Sequence, residues 1–327
     1  AFTNCTDCGP RYSIIKSLPY DRHYTTMKKF TMCNECNDEY NNPLSRRFHA
    51  EPNCCDKCGP KLLLTDNKGV KSKCENPIDE AKRLLKEGKI LAIKGIGGFH
   101  LVCDGRNEEA INNLRKKKRR SHKPLAVMVR DINFVKEICE VSSKEEIVLK
   151  SNKRPIVILK KKFPFLLPEA IAPKQNSLGV MLPYTGLHYL LIEEDLDFLI
   201  MTSGNISSMP MEYKNQDALN NLKDVADYFL FHDRDIYIEE DDSVVKVIDS
   251  NEKVIRRGRG YSPYISKSNK EYEIIAVGGD QKSTVCVSKN GYIYLSQYLG
   301  SLEDFNSYNN FKYVLNHLIN LFDIDRK

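Results

Sequence analysis

The stretch ILAIKGIGGFHLVCD, residues 90–104, places two short apolar runs on either side of a glycine-rich turn. Runs of this length, rich in aliphatic side chains and bounded by glycine, are typical of buried strands. The stretch therefore predicts a strand, a glycine loop and a second strand inside a sheet. KGIGGFH at 94–100 is similar to a phosphate-binding loop but matches neither GxxxxGK[ST] nor GxGxxG.

Helical and strand patterns alternate on both sides of this stretch. IDEAKRLLKEGK, which follows Asn76-Pro77, has apolar residues at helical spacing and ends before Gly88. Helices are predicted around 107–119 and 131–139, with a buried strand at PLAVMV between them. PIVILKK, SLGVMLP and DFLIMTS are predicted as further strands. Such alternation indicates an α/β domain, which we place at 76–265.

Two segments of different character flank this domain. Residues 1–75 are polar, rich in cysteine and rich in turns, and their elements should be short. SKSNK at 266–270 is predicted as a linker. Residues 271–327 contain a predicted hairpin and a predicted helix at 302–322, too little to bury a core alone. We interpret this last segment as the opening of a third domain that the chain does not complete.

Composition excludes several classes of protein. Among 327 residues, 50 basic and 44 acidic side chains give a net charge of only +6, so any basic site must be local. No apolar run is long enough to span a membrane, and the start AFTNC has no secretory leader. Paired cysteines suit metal thiolates in a reducing compartment. We therefore expect a cytoplasmic protein with no membrane contact.

Paired cysteines mark the first segment. Of the eleven cysteines, seven fall within residues 5–58, and six of these form three CxxC pairs. Cys33-x2-Cys36-x18-Cys55-x2-Cys58 has the spacing of a tetrahedral four-thiolate zinc site. Because four thiolates leave no open position, this zinc is expected to be structural. Cys54 lies outside the spacing and is not expected to be a ligand.

An internal repeat suggests a further metal site. CTDCGPRYSI at 5–14 matches CDKCGPKLLL at 55–64. If the third CxxC pair closes a finger that the second pair opens, the first pair, Cys5 and Cys8, closes an earlier finger whose opening pair would precede residue 1. We therefore predict a severed first finger and a complete second finger at 33–58. The alternative joins the first pair to the second and leaves the third without a partner.

Three polar stretches of the α/β domain carry groups suited to an anion. In RKKKRRSHKPLAV, which begins at residue 115, the spacing of Lys118 and Arg120 can aim two cations at one polyphosphate. TSGN follows the strand DFLIM and supplies Ser203 and Asn205. RRGRG, beginning at Arg256, adds further cations.

Ordinary structural explanations also fit these stretches. The basic residues 115–117 fit a solvated helix end. TSGN is also the composition of a common turn. Spacing alone therefore predicts an anion site and leaves its ligand open.

The motifs in combination resemble a known family. The K-x-R spacing, KPLAVM at 123–128, TSGN and RRGRGYSP at 256–263 are similar to YrdC-type domains. Paired CxxCGP fingers, KGIGGFHLVCD, DDSVV at 241–245 and AVGGDQKSTVCVSKNGYIYLSQYLG follow one another as in the HypF family of hydrogenase-maturation carbamoyltransferases. The resemblance covers essentially the whole chain.

The resemblance implies a fold and a reaction. HypF proteins carry an acylphosphatase-like domain, two zinc fingers, a YrdC-like domain with a twisted mixed sheet, and an actin-like-fold carbamoyltransferase domain. Here the fingers, the YrdC-like domain and the start of the last domain are expected. HypF proteins form carbamoyl adenylate from ATP and carbamoyl phosphate and pass the carbamoyl group to a cysteine of the partner HypE. There it becomes the cyanide ligand of [NiFe]-hydrogenase iron. Structural Zn²⁺, ATP with Mg²⁺ as substrate, and a HypE-like acceptor are thus implied.

The resemblance also implies roles for individual residues. Lys118 and Arg120 would be catalytic, neutralising phosphate charge. The nucleotide- and carbamoyl-adenylate-binding residues would be Lys118, Arg120, Lys123, Ser203, Asn205, Ser243 and Arg256.

Two other functions compete with carbamoyl-adenylate formation. Some YrdC-type proteins make threonylcarbamoyl adenylate for tRNA modification, but the fingers and the C-terminal segment argue against that function. A zinc-ribbon RNA-binding module is the second rival. Residues 1–75 hold 12 basic and 9 acidic side chains, and no aromatics are interleaved with the basic run at 115–120, so nucleic acid is an unlikely partner.

Overall fold

The computed structural model of the protein describes residues 2, 9–206 and 209–325. The helices are α1 (Asn34–Asn41), α2 (Pro77–Lys86), α3 (Glu108–Lys117), α4 (Ile132–Ile138), α5 (Ser143–Lys150), α6 (Gly186–Leu191), α7 (Asn215–Leu222) and α8 (Phe305–Leu321). The strands are β1 (Leu62–Asp66), β2 (Leu91–Lys94), β3 (Phe99–Asp104), β4 (Ala126–Val129), β5 (Cys139–Glu140), β6 (Ile156–Lys161), β7 (Ser177–Met181), β8 (Phe198–Ser203), β9 (Tyr228–His232), β10 (Val244–Ile248), β11 (Asn251–Arg256), β12 (Tyr264–Lys267), β13 (Ile274–Val277), β14 (Val285–Lys289) and β15 (Tyr292–Leu295). Short 3-10 helices lie at Arg22–Tyr24, Thr26–Lys29 and Glu169–Ile171.

One large mixed sheet organises most of the chain. Its order is β1-β9-β2-β3-β8-β4-β7-β6-β10-β11, and β5 pairs with β6. The pairs β2–β9, β4–β7 and β6–β10 are parallel, whereas β2–β3 and β3–β8 are antiparallel. The stretch at 90–104 supplies β2 and β3, which are almost wholly buried. The predicted α/β fold with a mixed sheet is confirmed.

Helices cover both faces of this sheet. Along β2, Ala92 packs into the cluster that contains α3, α4 and α7, whereas Leu91 and Ile93 pack into the cluster that contains α2 and α6. This alternation follows from the two-residue period of a strand. None of the helices among the described residues is long and apolar enough to cross a membrane.

Helix α2 illustrates how local sequence sets these elements. The Asn76 side chain accepts a hydrogen bond from the backbone N–H of Ile78, and Pro77 occupies the first helical position. After the helix, Gly88 takes a left-handed conformation with φ of 77°. Leu84 and Leu85 are fully buried, and each such side chain contributes about 1.5–3 kcal/mol.

A second, four-stranded antiparallel sheet lies in the C-terminal part, in the order β12-β15-β14-β13. Helix α8 packs on it through a core that includes Val285, Val314 and Leu318. The predicted hairpin and helix are therefore confirmed. Tyr12 and Ile238 join the same core, so two earlier segments of the chain pack on this sheet.

Two strands join parts of the chain that were predicted to be separate. Strand β1 falls within the segment 1–75 yet pairs with β9 at one edge of the large sheet. Strand β12 crosses position 265 and extends into the stretch predicted as a linker, where it pairs with β15. Backbone pairing, which polar composition does not reveal, decides both cases. The domain limits themselves remain predictions.

Candidate functional site

Four cysteine thiols meet in the segment that precedes the large sheet. The Sγ atoms of Cys33, Cys36, Cys55 and Cys58 all lie within 4.8 Å of one another. Sγ of Cys55 is 3.6 Å from that of Cys33 and 3.7 Å from that of Cys58. A tetrahedron with zinc–sulfur bonds of about 2.3 Å has edges of about 3.8 Å. The cluster therefore has the dimensions of a four-thiolate zinc site, as the spacing predicts.

Local backbone geometry presents these thiols. Cys33 caps the N-terminus of α1, and Cys36 lies in its first turn. At the other CxxC turn, N–H groups of Cys58 and Lys57 lower the pKa of the Cys55 thiol to about 6, which favours the thiolate that binds metal. Cys54 is buried beside this turn and is not a member of the cluster. Cys5 and Cys8, the predicted ligands of a severed finger, lie outside the described residues.

The predicted anion-binding stretches converge on a cavity of about 380 Å³ in the large sheet. Arg120, Ser203 and Arg256 all line it. The remaining wall comes from neighbouring strands and loops, namely His100, Pro124, Leu125, Ala126, Ile156, Ile158, Ser177, Gly179, Met201, Thr202, Asp241, Asp242, Val244, Ile255, Lys282 and Tyr298.

The K-x-R spacing is the geometry of a helix end. The N–H of Arg119 donates to the Lys116 carbonyl, and the N–H of Arg120 donates to the Arg115 carbonyl. Arg119 between them is left-handed, with φ of 54°. This pattern is the Schellman motif, which reverses the chain after a helix. It brings Lys118 and Arg120 back towards the end of β8.

Lys118 lies beneath the TSGN loop rather than in the cavity wall. Its ammonium donates to the carbonyls of Ser203 and Asn205 at 2.5 and 2.6 Å, and to Asn205 Oδ1 at 2.7 Å. The side chain is 1% exposed. Burial, with a smaller effect of Arg120, lowers the pKa of Lys118 to about 7. Lys118 and Asn205 therefore act on the cavity through the backbone of the loop.

Arg120 is the member of the basic run that faces the cavity. Its guanidinium donates to the Pro124 carbonyl at 2.6 Å and approaches Thr202 Oγ1 at 3.4 Å. Ser203 lies beside it and donates to Asn205 Oδ1 at 2.9 Å. Burial lowers the pKa of Arg120, yet a guanidinium remains charged. A fixed positive charge and a hydroxyl thus share one wall.

Arg256 lies on the other side of the cavity. It donates to Asp241 Oδ2 at 2.8 Å and to the Asp242 carbonyl at 3.0 Å. Ser243 is wholly buried behind this wall, where its hydroxyl donates to the Arg259 carbonyl and accepts from the N–H of Gly258. Ser243 therefore shapes the RRGRG loop and does not line the cavity.

Lys123 and Arg115 of the basic stretch do not line the cavity either. Lys123 has an exposed side chain. Its backbone carbonyl accepts a hydrogen bond from Arg120 Nε at 3.3 Å. Arg115 is buried at 7% exposure and donates to the carbonyls of Ile171 and Arg120. The interpretation of 115–117 as a solvated helix end is therefore wrong for Arg115. Its guanidinium donates to carbonyls of neighbouring loops, and these hydrogen bonds compensate for its burial.

Sequence reasoning missed a buried polar network in the cavity wall. His100 Nε2 lies 2.9 Å from Asp242 Oδ2, and Arg259 Nε donates to Asp242 Oδ1 at 2.8 Å. Arg259 and His100 hold the pKa of Asp242 far below its usual range despite burial. Asp242 lies in DDSVV, His100 in KGIGGFH and Arg259 in RRGRG. The sequence therefore shows the motifs but not the contacts between them. His100 lies directly opposite Ser203 across β3 and β8.

Comparison with family models assigns successive parts of the chain. Residues 83–258 match the Sua5–YciO–YrdC model, described as telomere recombination. Residues 32–65 match the HypF finger, and residues 269–327 match the HypF Kae1-like domain. The first match alone covers more than half of the chain. The chain belongs to the Sua5–YciO–YrdC family. Its flanking matches confirm the resemblance to HypF.

Similar proteins extend well beyond this chain. Carbamoyltransferase HypF of Rhodobacter capsulatus is 45% identical over 308 residues, which are 93% of this chain and 41% of that protein. Among solved structures, full-length HypF in a phosphate- and nucleotide-bound form has a TM-score of 0.92 at 44% identity and covers 99% of this chain. HypF of T. kodakarensis has a TM-score of 0.95 at 44% identity. The chain spans about 43% and 42% of these two structures.

Proposed function

We propose that this chain forms carbamoyl adenylate from ATP and a carbamate derived from carbamoyl phosphate. The observation that carries the proposal is the convergence of Arg120, Ser203 and Arg256 on one cavity. It occurs in a chain that is similar to carbamoyltransferase HypF over 93% of this chain's length. The carbamoyl group would then pass to a cysteine of a HypE-like acceptor, as the first step towards a cyanide ligand of [NiFe]-hydrogenase iron.

The chemistry needs charge neutralisation and alignment. A carbamate oxygen attacks the α-phosphorus of ATP, a new P–O bond forms, and the bond to the leaving pyrophosphate breaks. Such a step requires no protein nucleophile. Although Ser203, His100 and Asp242 all line the cavity, the Ser203 hydroxyl donates to Asn205, and His100 Nδ1 has no hydrogen-bond partner among the described residues. The three side chains therefore do not form a proton relay.

Five of the predicted residues have a role in this proposal. Arg120 and Arg256 would bind phosphate oxygens and stabilise charge on the leaving pyrophosphate. The Ser203 hydroxyl would rotate away from Asn205 Oδ1 and donate its one proton to a nucleotide or carbamate oxygen. Lys118 and Asn205 would fix the loop that carries Ser203. Mg²⁺ would arrive with the triphosphate, held mainly by phosphate and water oxygens.

The finger would have a structural role. Four thiolates fill a tetrahedral Zn²⁺, so the ion would order the segment before β1 and would not act on substrate. Arg22 ties the same segment together by donating to the carbonyls of Phe30, Glu51 and Asn53. Reduced thiolates of this kind suit the cytoplasm.

Three of the six basic residues at 115–120 are not available to an RNA backbone, which also counts against an RNA-binding function. Arg115 and Lys118 are buried, and Arg120 lines the cavity. Phosphate-backbone binding by a protein surface needs accessible cations. The finger and Kae1-like matches favour carbamoyl over threonylcarbamoyl transfer.

The test is ATP–pyrophosphate exchange. We expect exchange that depends on carbamoyl phosphate or on freshly dissolved ammonium carbamate, and its loss in Arg120→Ala. Threonine with bicarbonate serves as the competing substrate pair. Exchange that responds only to that pair would favour threonylcarbamoyl-adenylate synthesis, and undiminished exchange in Arg120→Ala would remove Arg120 from the reaction.

A further inference from the structure

One cation of the cavity comes from another part of the chain. Lys282 and Tyr298 both line the cavity, although they flank β14 and β15 in the C-terminal sheet. The other cationic side chains of the wall, Arg120 and Arg256, belong to the region that matches the Sua5–YciO–YrdC model. The cavity is therefore a composite of two structural units.

Backbone hydrogen bonds fix the turn that carries Lys282. The N–H of Ser283 donates to the Gly300 carbonyl, and the Ser283 carbonyl accepts from the N–H of Leu299, both at 2.9 Å. The N–H of Tyr298 donates to the Arg257 carbonyl at 2.7 Å, which joins this sheet to the cavity rim. The turn with Lys282 is thus anchored beside the cavity.

The charges of the cavity are unbalanced. Asp241 pairs with Arg256 at 2.8 Å, and Asp242 pairs with Arg259 at 2.8 Å. Among the described residues, neither Arg120 nor Lys282 has a carboxylate within ion-pair distance. Two positive charges therefore face the cavity without a protein counter-ion, which favours a multiply charged anion.

We propose that Lys282 is a phosphate-binding residue of this cavity, so that a bound polyphosphate contacts both structural units at once. The inference rests on the proposed function and adds a residue from outside the YrdC-like region. Phosphate oxygens are the shared chemistry of two sources, the triphosphate of ATP and carbamoyl phosphate. The triphosphate is the source that we expect, because its several charged phosphates can contact more than one cation of the cavity at once.

Isothermal titration of Lys282→Ala with ATP, AMP and inorganic phosphate tests the proposal. Lys267→Ala is the matched control, because Lys267 is an exposed lysine of the same sheet that does not line the cavity. We expect ATP to bind Lys282→Ala about five- to tenfold more weakly, as for loss of one partly exposed charge-assisted contact. AMP should bind Lys282→Ala and the parent equally, and Lys282→Arg should retain most of the affinity for ATP. High salt should reduce the difference in ATP affinity between Lys282→Ala and the parent.

The outcomes separate this proposal from the function on which it rests. Equal affinity of Lys282→Ala and the parent for both ATP and inorganic phosphate, while Arg120→Ala loses ATP binding, would overturn the role of Lys282 alone. No ATP binding by the parent would overturn the proposed function as well. Weaker binding of phosphate but not of ATP would support the site and assign it to carbamoyl phosphate. Equal losses for ATP, AMP and phosphate with a lower melting temperature would indicate a structural defect and contradict the proposal.

Discussion

Replacing Lys118 with methionine should destabilise the protein even when no ligand is bound. The ammonium donates to three partly buried oxygens of the TSGN loop at 2.5, 2.6 and 2.7 Å. The Ser203 carbonyl keeps the N–H of Asn205 as a donor, and Asn205 Oδ1 keeps the Ser203 hydroxyl. The Asn205 carbonyl would be left without a donor, which costs about 1–3 kcal/mol. Removing a buried charge, whose desolvation lowers the pKa of Lys118 to about 7, offsets part of this cost. We expect a net loss of about 1–2 kcal/mol in the free energy of unfolding.

Urea denaturation of the unliganded protein measures this loss. Lys123→Ala is the control, because Lys123 is an exposed lysine of the same stretch, and its stability should change by less than about 0.5 kcal/mol. ATP affinity should fall in Lys118→Met, since Ser203 would lose its support. If Lys118→Met is as stable as the parent but no longer binds ATP, Lys118 binds phosphate directly and the positioning role is wrong.

Three further predictions address other parts of the structure. Arg119→Gly should stabilise the protein by about 0.5–1 kcal/mol in urea denaturation, because Arg119 is left-handed at φ 54° and glycine adopts that conformation without strain; destabilisation would contradict the helix-end geometry. Burial raises the pKa of Glu240 from 4.5 to about 8, so its contribution to stability is lost as pH rises through that window, by at most about 1.4 kcal/mol per pH unit. Glu240→Gln should weaken the pH dependence of the free energy of unfolding between pH 5 and 8 and should raise that free energy at pH 8. The exposed control Glu109→Gln should have neither effect. Atomic absorption should find near one zinc per chain, lost in Cys55→Ser; two firmly bound ions would contradict the severed first finger.

Motifs with regular spacing were predictable from the sequence. The CxxC pairs specify a tetrahedral site because each turn presents two thiols. The thiols of Cys33, Cys36, Cys55 and Cys58 lie together as expected. The run at 90–104 became β2 and β3 because its apolar residues suit only a buried strand. Arg120, Ser203 and Arg256 were each predicted, and each lines the cavity.

Contacts between distant segments were not predictable in the same way. Lys118 resembled a phosphate ligand, but its direction depends on the left-handed Arg119, which no spacing rule indicates. Arg115 is buried because its guanidinium donates hydrogen bonds to loop carbonyls of another segment. Strands β9, β10 and β11 and helices α5 and α7 were missed because short elements carry weak periodicity. Lys282 lines the cavity because it precedes β14, which pairs with β15 in the second sheet.

Carbamate-dependent ATP–pyrophosphate exchange, measured in parallel for the parent chain and for Arg120→Ala, tests the central claim most directly. We expect the parent to incorporate labelled pyrophosphate into ATP only when carbamoyl phosphate or carbamate is present, and Arg120→Ala to lose this activity while its melting temperature stays within a few degrees of the parent. Exchange in the parent that is absent with carbamate but present with threonine and bicarbonate, or equal in both proteins, would contradict it.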